Sequence, residues 1–339
     1  MGFMSMVEVT KDLPRSGDGL PMEWIDAPFG PFFPGLPGGL SLNLTLDGDT
    51  IARAEAAAMS DPADLLPSGS MTPDAFAARL SGLVPLAPMS YALLARRAIE
   101  AAAGIEMPDG AARSRIVALE RERIASHLNW LALFAHQNGL EDLAVRAASL
   151  QLAVAWADVA AIEERGPALR ALCDRVRRVP LLRARLSGVG RLADADDLRG
   201  PVSRASGGTA DGRSDDPASV ALGFAPVSTG GGDALARLRQ RIDEIGQSLA
   251  LIAAAGSTAA PAPVETGAVS GQGTAIVETP RGAATLQVTL EVGKVTAAKI
   301  STPSVRHLAL VSALCDQQEL GDAMVAIGSL DLCPWEARL

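Results

Sequence analysis

Leucines 40, 42, 44 and 46 alternate with polar residues, the period of a strand with one buried face. Asp47-Gly48 follows and Ile51 resumes the apolar pattern, so a tight hairpin is predicted. The segment from Gly30 to Gly39 is turn-rich, and Ser60 to Asp74 reads as a loop from its proline, serine and glycine content. From about Ser90 the period becomes helical. Tyr91 to Ala103 carries Leu94, Ala98 and Ile99 on one face and stops at Gly104. A helix capped by Asp109 runs through Ile116, Leu119, Arg123, His127, Leu131 and Phe134 to Gly139. A further helix covers Leu140 to Glu164, and another, interrupted near Gly166-Pro167, extends towards Arg178. Ala234 to Ala255 is helical by period. Leu286, Val288, Leu290 and Val292 alternate up to Gly293-Lys294, a second strand follows over Val295 to Ile300, and Pro303 opens a helix that continues to Cys315.

The chain therefore reads as α+β, a central helical bundle flanked by small antiparallel sheets. Its expected organisation is an N-terminal tail at 1–29, a β hairpin at 30–57, a mainly helical core at 58–255 with a long loop at 200–233, a linker at 256–273, and a C-terminal β hairpin with helices at 274–339. The run Gly230-Gly231-Gly232 lacks the strand before and the Gly-Lys-Ser/Thr continuation of a phosphate cradle, and reads as flexible linker.

Composition narrows the function classes. Aromatic residues are 4% of 339 and alanine carries much of the 48% apolar content, so the mean hydropathy of +0.20 reflects small side chains. No run is long and apolar enough to span a bilayer, and Met1 to Asp18 shows no secretory h-region. A net charge of -9 argues against nucleic acid. Cys173, Cys315 and Cys333 are widely spaced with no Cys-x-x-Cys, which fits a reducing compartment; the expectation is a cytoplasmic protein.

Five segments in order resemble one family. Gly30-Pro31 through Leu46-Asp47-Gly48-Asp49 is the first; the second is Ile99-Glu100, Gly104 to Pro108 and Glu122-Arg123-Ile124-Ala125-Ser126-His127-Leu128. Leu186 to Gly190 is the third, and Gly200-Pro201-Val202-Ser203-Arg204-Ala205-Ser206-Gly207 with Asp215-Asp216-Pro217 the fourth. The fifth joins Val277 to Gly282, Thr302-Pro303-Ser304 and Ala326 to Asp331. Together they resemble the large subunit of nickel-iron hydrogenases, the group 4 (hydrogenase III) type in particular, and its metal-free descendant, the D subunit of respiratory complex I. The resemblance implies a hydrogenase large-subunit-like fold, an iron-sulfur small subunit and membrane subunits as partners, and a place peripheral to the cytoplasmic membrane.

The departures shape the expected function. Where the hydrogenase pattern has Cys-Gly-Ile-Cys this chain has Val84-Pro85-Leu86-Ala87, and where it has Cys-x-x-Cys near the C-terminus this chain has Cys333 and Glu336. One thiolate of four remains, so the nickel-iron centre is expected to be absent and iron-sulfur clusters to belong to a partner. The histidine that complex I places beside the quinone is missing from Ala54 to Pro67, and its tyrosine partner falls near Pro85. The expectation is a non-catalytic or degenerate large subunit that scaffolds the small subunit. Two alternatives stand beside it: a hydrogenase maturation scaffold working through Cys333, and an NADH-quinone oxidoreductase-type subunit with a rearranged quinone site. Glu122, Arg123 and His127 are the candidates for the partner interface, since the last two share one helical face. Arg281 is expected in a structural ion pair, Cys333 as small apolar packing, Glu336 as solvated, and His136 and His307 as structural. Nothing places an acid behind Ser126-His127 for a nucleophilic triad.

Overall fold

The computed structural model describes residues 24–34, 36–58, 61–106, 109–192, 198–256 and 266–339, together with Arg15 and Gly19. The expectations for Met1 to Asp18, and the cap at Asp109, lie outside the described residues and side chains. Strands β1 (Ile25–Phe29), β2 (Leu40–Asp47) and β3 (Thr50–Ala58) form an antiparallel sheet in the order β1-β2-β3. Leu40, Leu42 and Leu44 point into the core as their alternation predicts. The strand β1 lies in the segment read as a tail; its Pro28 donates no ladder bond, which an edge strand tolerates.

Helices α1 (Pro73–Leu83), α2 (Pro88–Ala103), α3 (Asp109–Gln137), α4 (Glu141–Val154), α5 (Val159–Arg178), α6 (Pro180–Leu186), α7 (Pro201–Ala205), α8 (Pro217–Ala221) and α9 (Ala234–Ala255) make the middle of the chain. A second antiparallel sheet, β4 (Gly271–Thr279), β5 (Gly282–Glu291) and β6 (Lys294–Ser301), precedes α10 (Pro303–Cys315), α11 (Leu320–Ser329) and α12 (Pro334–Ala337). The α+β reading therefore holds. Three apolar clusters tie these elements together: α3, α4, α5, α6 and α9 share the first, α1 and α2 pack on the second sheet, and the first sheet packs on α10 and α11.

Four local readings are corrected. The helix break falls at residues 155–158, where the Asp158 carboxylate accepts from the Ala161 N–H at 2.8 Å; α5 then runs unbroken through Pro167, which is exposed, so water can reach the carbonyl its missing N–H leaves open. Residues 200–233 are not a plain loop, because they form α7, a 3-10 turn at Gly212–Asp215 and α8, and bury Arg204, Asp211 and Arg213. Gly232 is not in a flexible linker: its N–H bonds Ala205 O at 2.9 Å, its carbonyl takes Leu192 N–H at 3.0 Å, and with φ at +69° a Cβ there would meet Leu192 O at 2.4 Å. Of the expected linker at 256–273, residues 257–265 lie outside the described residues and Gly271 already starts β4.

Candidate functional site

The fold brings the four metal-ligand positions of the resemblance to one place. Val84 and Ala87, on the turn before α2, are fully buried in the same apolar cluster as Tyr91 and Cys333. Burial pushes the Cys333 thiol up to about 12, so it stays protonated at neutral pH. Glu336 corrects the expectation of a solvated side chain. It has no exposed surface, because α12 folds back against Ser304 and Tyr91. The Cys333 N–H donates to Ser304 Oγ at 3.2 Å, which leaves the Ser304 hydroxyl to donate to Glu336 Oε2 at 2.6 Å. Burial raises the Glu336 carboxyl against the pull of Arg281, whose Nη1 stands 3.9 Å from Oε1. Arg281 itself pairs with Asp331 Oδ1 at 3.1 Å and donates from Nε to Asp331 O at 3.2 Å. A centre held by four thiolates does not fit this set, which offers one protonated thiol, a carboxyl engaged by Ser304 and two aliphatic side chains. Among the described residues no group of three or more His, Cys, Asp or Glu side chains stands close enough to hold a metal ion.

Behind this cluster lies a buried ion network that sequence reading missed. Arg204 on α7 reaches Glu244 on α9 (2.9 Å), Glu278 on β4 (2.8 Å) and Asp211 (2.8 Å). Arg213 joins Asp211 (2.8 Å) to Glu120 on α3 (3.1 Å), and Ser248 donates to Glu120 at 2.6 Å. Burial alone would raise the Glu244 carboxyl, but Arg204 and the bond from His127 outweigh it and hold Glu244 well below the carboxylate range. Glu278 goes the other way, because burial outweighs Arg204. Arg204, Glu278, Arg123 and His127 had a signal in the sequence, their places in the motif segments, whereas Asp211, Arg213, Glu120 and Glu244 had none.

Arg123 and His127 belong to this network and not to a surface. Arg123 donates to Glu278 O (2.7 Å) and Thr279 O (3.1 Å) and pairs with Glu120, while His127 Nε2 meets Glu244 Oε2 at 3.1 Å. Both are buried, and burial keeps the imidazole neutral. The four-residue spacing did put them on one face, but that face packs on α9 and β4, which corrects the partner-interface reading for both. Glu122 faces the other way. Its carboxylate takes the Ser90 N–H at 2.9 Å and caps the start of α2. His307 is buried, with its imidazole pushed down to about 3, and His136 pairs at the surface with Glu141 at 2.8 Å.

Glu122 also lines a surface cleft with Arg121, Ser126, Asn129 and Trp156. Leu86 and Asn129 join this cleft to an apolar hollow walled by Phe32, Leu133, Pro334 and Trp335, and to a narrow inlet that ends on Arg281 and Asp331. Phe32 is 80% exposed and Trp156 78%, so two large aromatic side chains flank a continuous cleft in contact with solvent.

Comparison with known proteins gives this geometry its context. The family described as respiratory-chain NADH dehydrogenase, 49 Kd subunit, matches residues 157–270 and 264–337. The chain is 27% identical over 358 residues to the D subunit of the NADH-quinone oxidoreductase of Desulfotalea psychrophila, across 92% of this chain and 96% of that protein. It is 27% identical over 267 residues to the H subunit of the NAD(P)H-quinone oxidoreductase of Prochlorococcus marinus, 66% of each. Among solved structures, a chain from the membrane-bound sulfane sulfur reductase, an archaeal respiratory membrane complex, shares the fold with a TM-score of 0.82 at 22% identity, over 93% of this chain and 98% of that one. Among the described residues no helix is long and apolar enough to cross a membrane. With the matched stretches spanning more than half of its length, the chain belongs to the 49 Kd subunit family of respiratory-chain NADH dehydrogenase.

Proposed function

We propose that this chain is a catalytically degenerate subunit of a respiratory membrane complex of the complex I and hydrogenase type, holding no nickel-iron centre and scaffolding an iron-sulfur small subunit. The observation that carries the reading is the burial of Val84 and Ala87 in the apolar cluster that also holds Cys333, at positions where the resemblance puts the thiolates of metal-binding members. The cleft flanked by Phe32, Trp335 and Trp156 supports it, since its wall includes Leu86 on the same turn and its exposed aromatics suit a protein interface. Membrane partners are suggested by the similar solved chain, which is named as part of a membrane-bound respiratory complex, and a position peripheral to the cytoplasmic membrane is what the motif resemblance implies; both belong to the same proposal.

The test is purification of the tagged chain from its native host, with identification of co-purifying subunits and elemental analysis. An iron-sulfur protein held through Phe32→Asp-sensitive and Trp335→Asp-sensitive contacts, with no stoichiometric nickel, is expected. Retention of the small subunit by both variants would remove the cleft from the proposal, and one nickel per chain would end it.

One observation favours a second reading, a rearranged quinone site: the inlet lined by Leu36, Leu40, Leu86 and Trp130 ends on Arg281 and Asp331, apolar walls leading to a polar end. Burial of Cys333 weighs against a maturation scaffold, because a protonated, enclosed thiol is a poor acceptor of iron.

A further inference from the structure

Ser126 stands between Glu122, which caps α2, and His127, which joins the ion network, and takes part in neither. Its hydroxyl is buried and has no hydrogen-bond partner. Ser114 on the same helix and Ser149 on α4 satisfy theirs by donating back four residues, to Gly110 O at 3.1 Å and Val145 O at 2.9 Å. Ser126 makes no such bond and lines the cleft beside Trp156, where a ligand can supply the missing partner.

Other polar groups line the same cleft with bonds to spare. Arg121 donates from Nη1 to Ala157 O at 3.1 Å, and its Nε is buried and unbonded. The side-chain amides of Asn129 and Gln151 make no hydrogen bond among the described residues. Glu122, the one acid among the lining residues, is taken up by α2: Oε1 accepts from Ser90 N–H at 2.9 Å and Ser90 Oγ at 2.5 Å, and Oε2 accepts from Met89 N–H at 2.5 Å. The charge left to a ligand is therefore the Arg121 guanidinium, and a carboxylate is its planar, bidentate complement.

The rest of the wall selects a ring. Leu86, Met89, Ala125 and Ala155 supply apolar surface, and Trp156, 78% exposed, offers an indole face. The cleft has a volume of about 170 Å³. An apolar cavity of about 150 Å³ takes up benzene, so the space suits a single aromatic ring. Arg121 and Ser126 lie about 140° apart around the axis of α3, at 3.6 residues per turn, with Ala125 and Asn129 between them. They therefore meet a ligand from opposite sides.

We propose that this cleft binds a monocyclic aromatic carboxylate with a polar substituent opposite the acid group. The carboxylate sits on Arg121, the ring lies over Ala125 against Trp156, and the substituent bonds Ser126 Oγ and the Asn129 amide. Binding needs no partner chain, so this site stands or falls apart from the small-subunit reading.

The test is calorimetric titration of the purified full chain with para-hydroxybenzoate, benzoate and the neutral para-hydroxybenzamide. Para-hydroxybenzoate is expected to saturate a single site and to bind at least about tenfold more tightly than the amide. Arg121→Gln should abolish that preference. Ser126→Ala should weaken para-hydroxybenzoate by about threefold or more and leave benzoate unchanged. Trp156→Ala should weaken every ligand by about threefold or more. Ser126 has no partner to lose and Trp156 is exposed, so both variants should melt with the wild type and carry the test if Arg121→Gln, which deprives Ala157 O of its donor, does not. Equal binding of acid and amide would overturn the proposal. So would tighter binding of duroquinone than of the acid, absence of saturable binding in the millimolar range, or undiminished binding by Ser126→Ala and Trp156→Ala.

Discussion

His127 Nε2 lies 3.1 Å from Glu244 Oε2 with both side chains fully buried, so a neutral imidazole donates to a carboxylate whose other oxygen takes two bonds from Arg204. This pair joins α3, α7 and α9 without contact with water. Glu244→Gln keeps the shape but removes the charge that faces Arg204, and should destabilise the fold by about 3 to 5 kcal/mol, the cost of breaking a buried pair. Chemical denaturation measures it; a loss below about 1 kcal/mol would mean that water reaches the network.

Arg123→Ala should act on folding and not on docking. The substitution leaves Glu120 and the carbonyls of Glu278 and Thr279 without their donor, for roughly 3 to 5 kcal/mol of stability. Small-subunit co-purification, scaled to folded protein, should be unchanged, and selective loss of the partner with an unaltered melting temperature would restore the surface reading.

Acid should weaken the protein well above the carboxylate range. Burial pushes the His307 imidazole down to about 3 from an ordinary value of 6.5, so between these limits the unfolded chain binds a proton that the folded chain refuses. Stability then falls as pH falls through that window, and His127, also lowered by burial, adds the same sign. Glu278 and Glu336, both raised by burial, oppose it in part, since their protonation as pH falls favours the folded state. Denaturation midpoints between about pH 7 and about pH 5 should decline, and His307→Gln should flatten the slope. An unchanged slope in that variant would assign the effect elsewhere.

Gly232→Ala and Gly188→Ala separate a clash from a conformational preference. Both glycines have positive φ, but an added Cβ at Gly188 meets nothing within 4 Å, whereas at Gly232 it meets Leu192 O. About 1 kcal/mol is expected at Gly188 and more than about 2 at Gly232, measured by thermal melting. Equal costs would show that the Gly232 turn relaxes.

Cys333 should resist alkylation in the native protein at neutral pH and react once the chain is denatured, because it is buried and its thiol is pushed up to about 12. Mass spectrometry after brief iodoacetamide treatment gives the result. Rapid native labelling would revive a role for this thiol as a transient iron acceptor.

What the sequence made legible is what repeats along it. The leucine alternation in β2, the period of α9 and the order of motifs from Gly30 to Glu336 were enough for the α+β architecture and the family. Residues whose role depends on distant partners were not legible. Arg213 and Glu244 look like solvated charges in any window, Arg123 and Arg204 stand in motifs that do not reveal their partners, and only the meeting of α3, α7, α9 and β4 turns them into a core network. Pro167 failed as a helix breaker because its exposed position tolerates the missing donor, and Glu336 failed as a surface residue because its partners Ser304 and Tyr91 precede it by many residues.

The latch formed by Arg281 with Asp331 and Glu336 also sets an order of events during synthesis. Arg281 and the α2 segment around Tyr91 leave the ribosome before Asp331, Cys333 and Glu336 exist as partners for them. Until then the nascent chain carries an arginine without its acids and an apolar hollow without its lid, joined by contacts of very long sequence separation. Completion of this core is therefore a late step that waits for Asp331 to Glu336, and a chaperone that shields the hollow around Val84 and Ala87 would act at the point where the growing polypeptide is most exposed to misassembly.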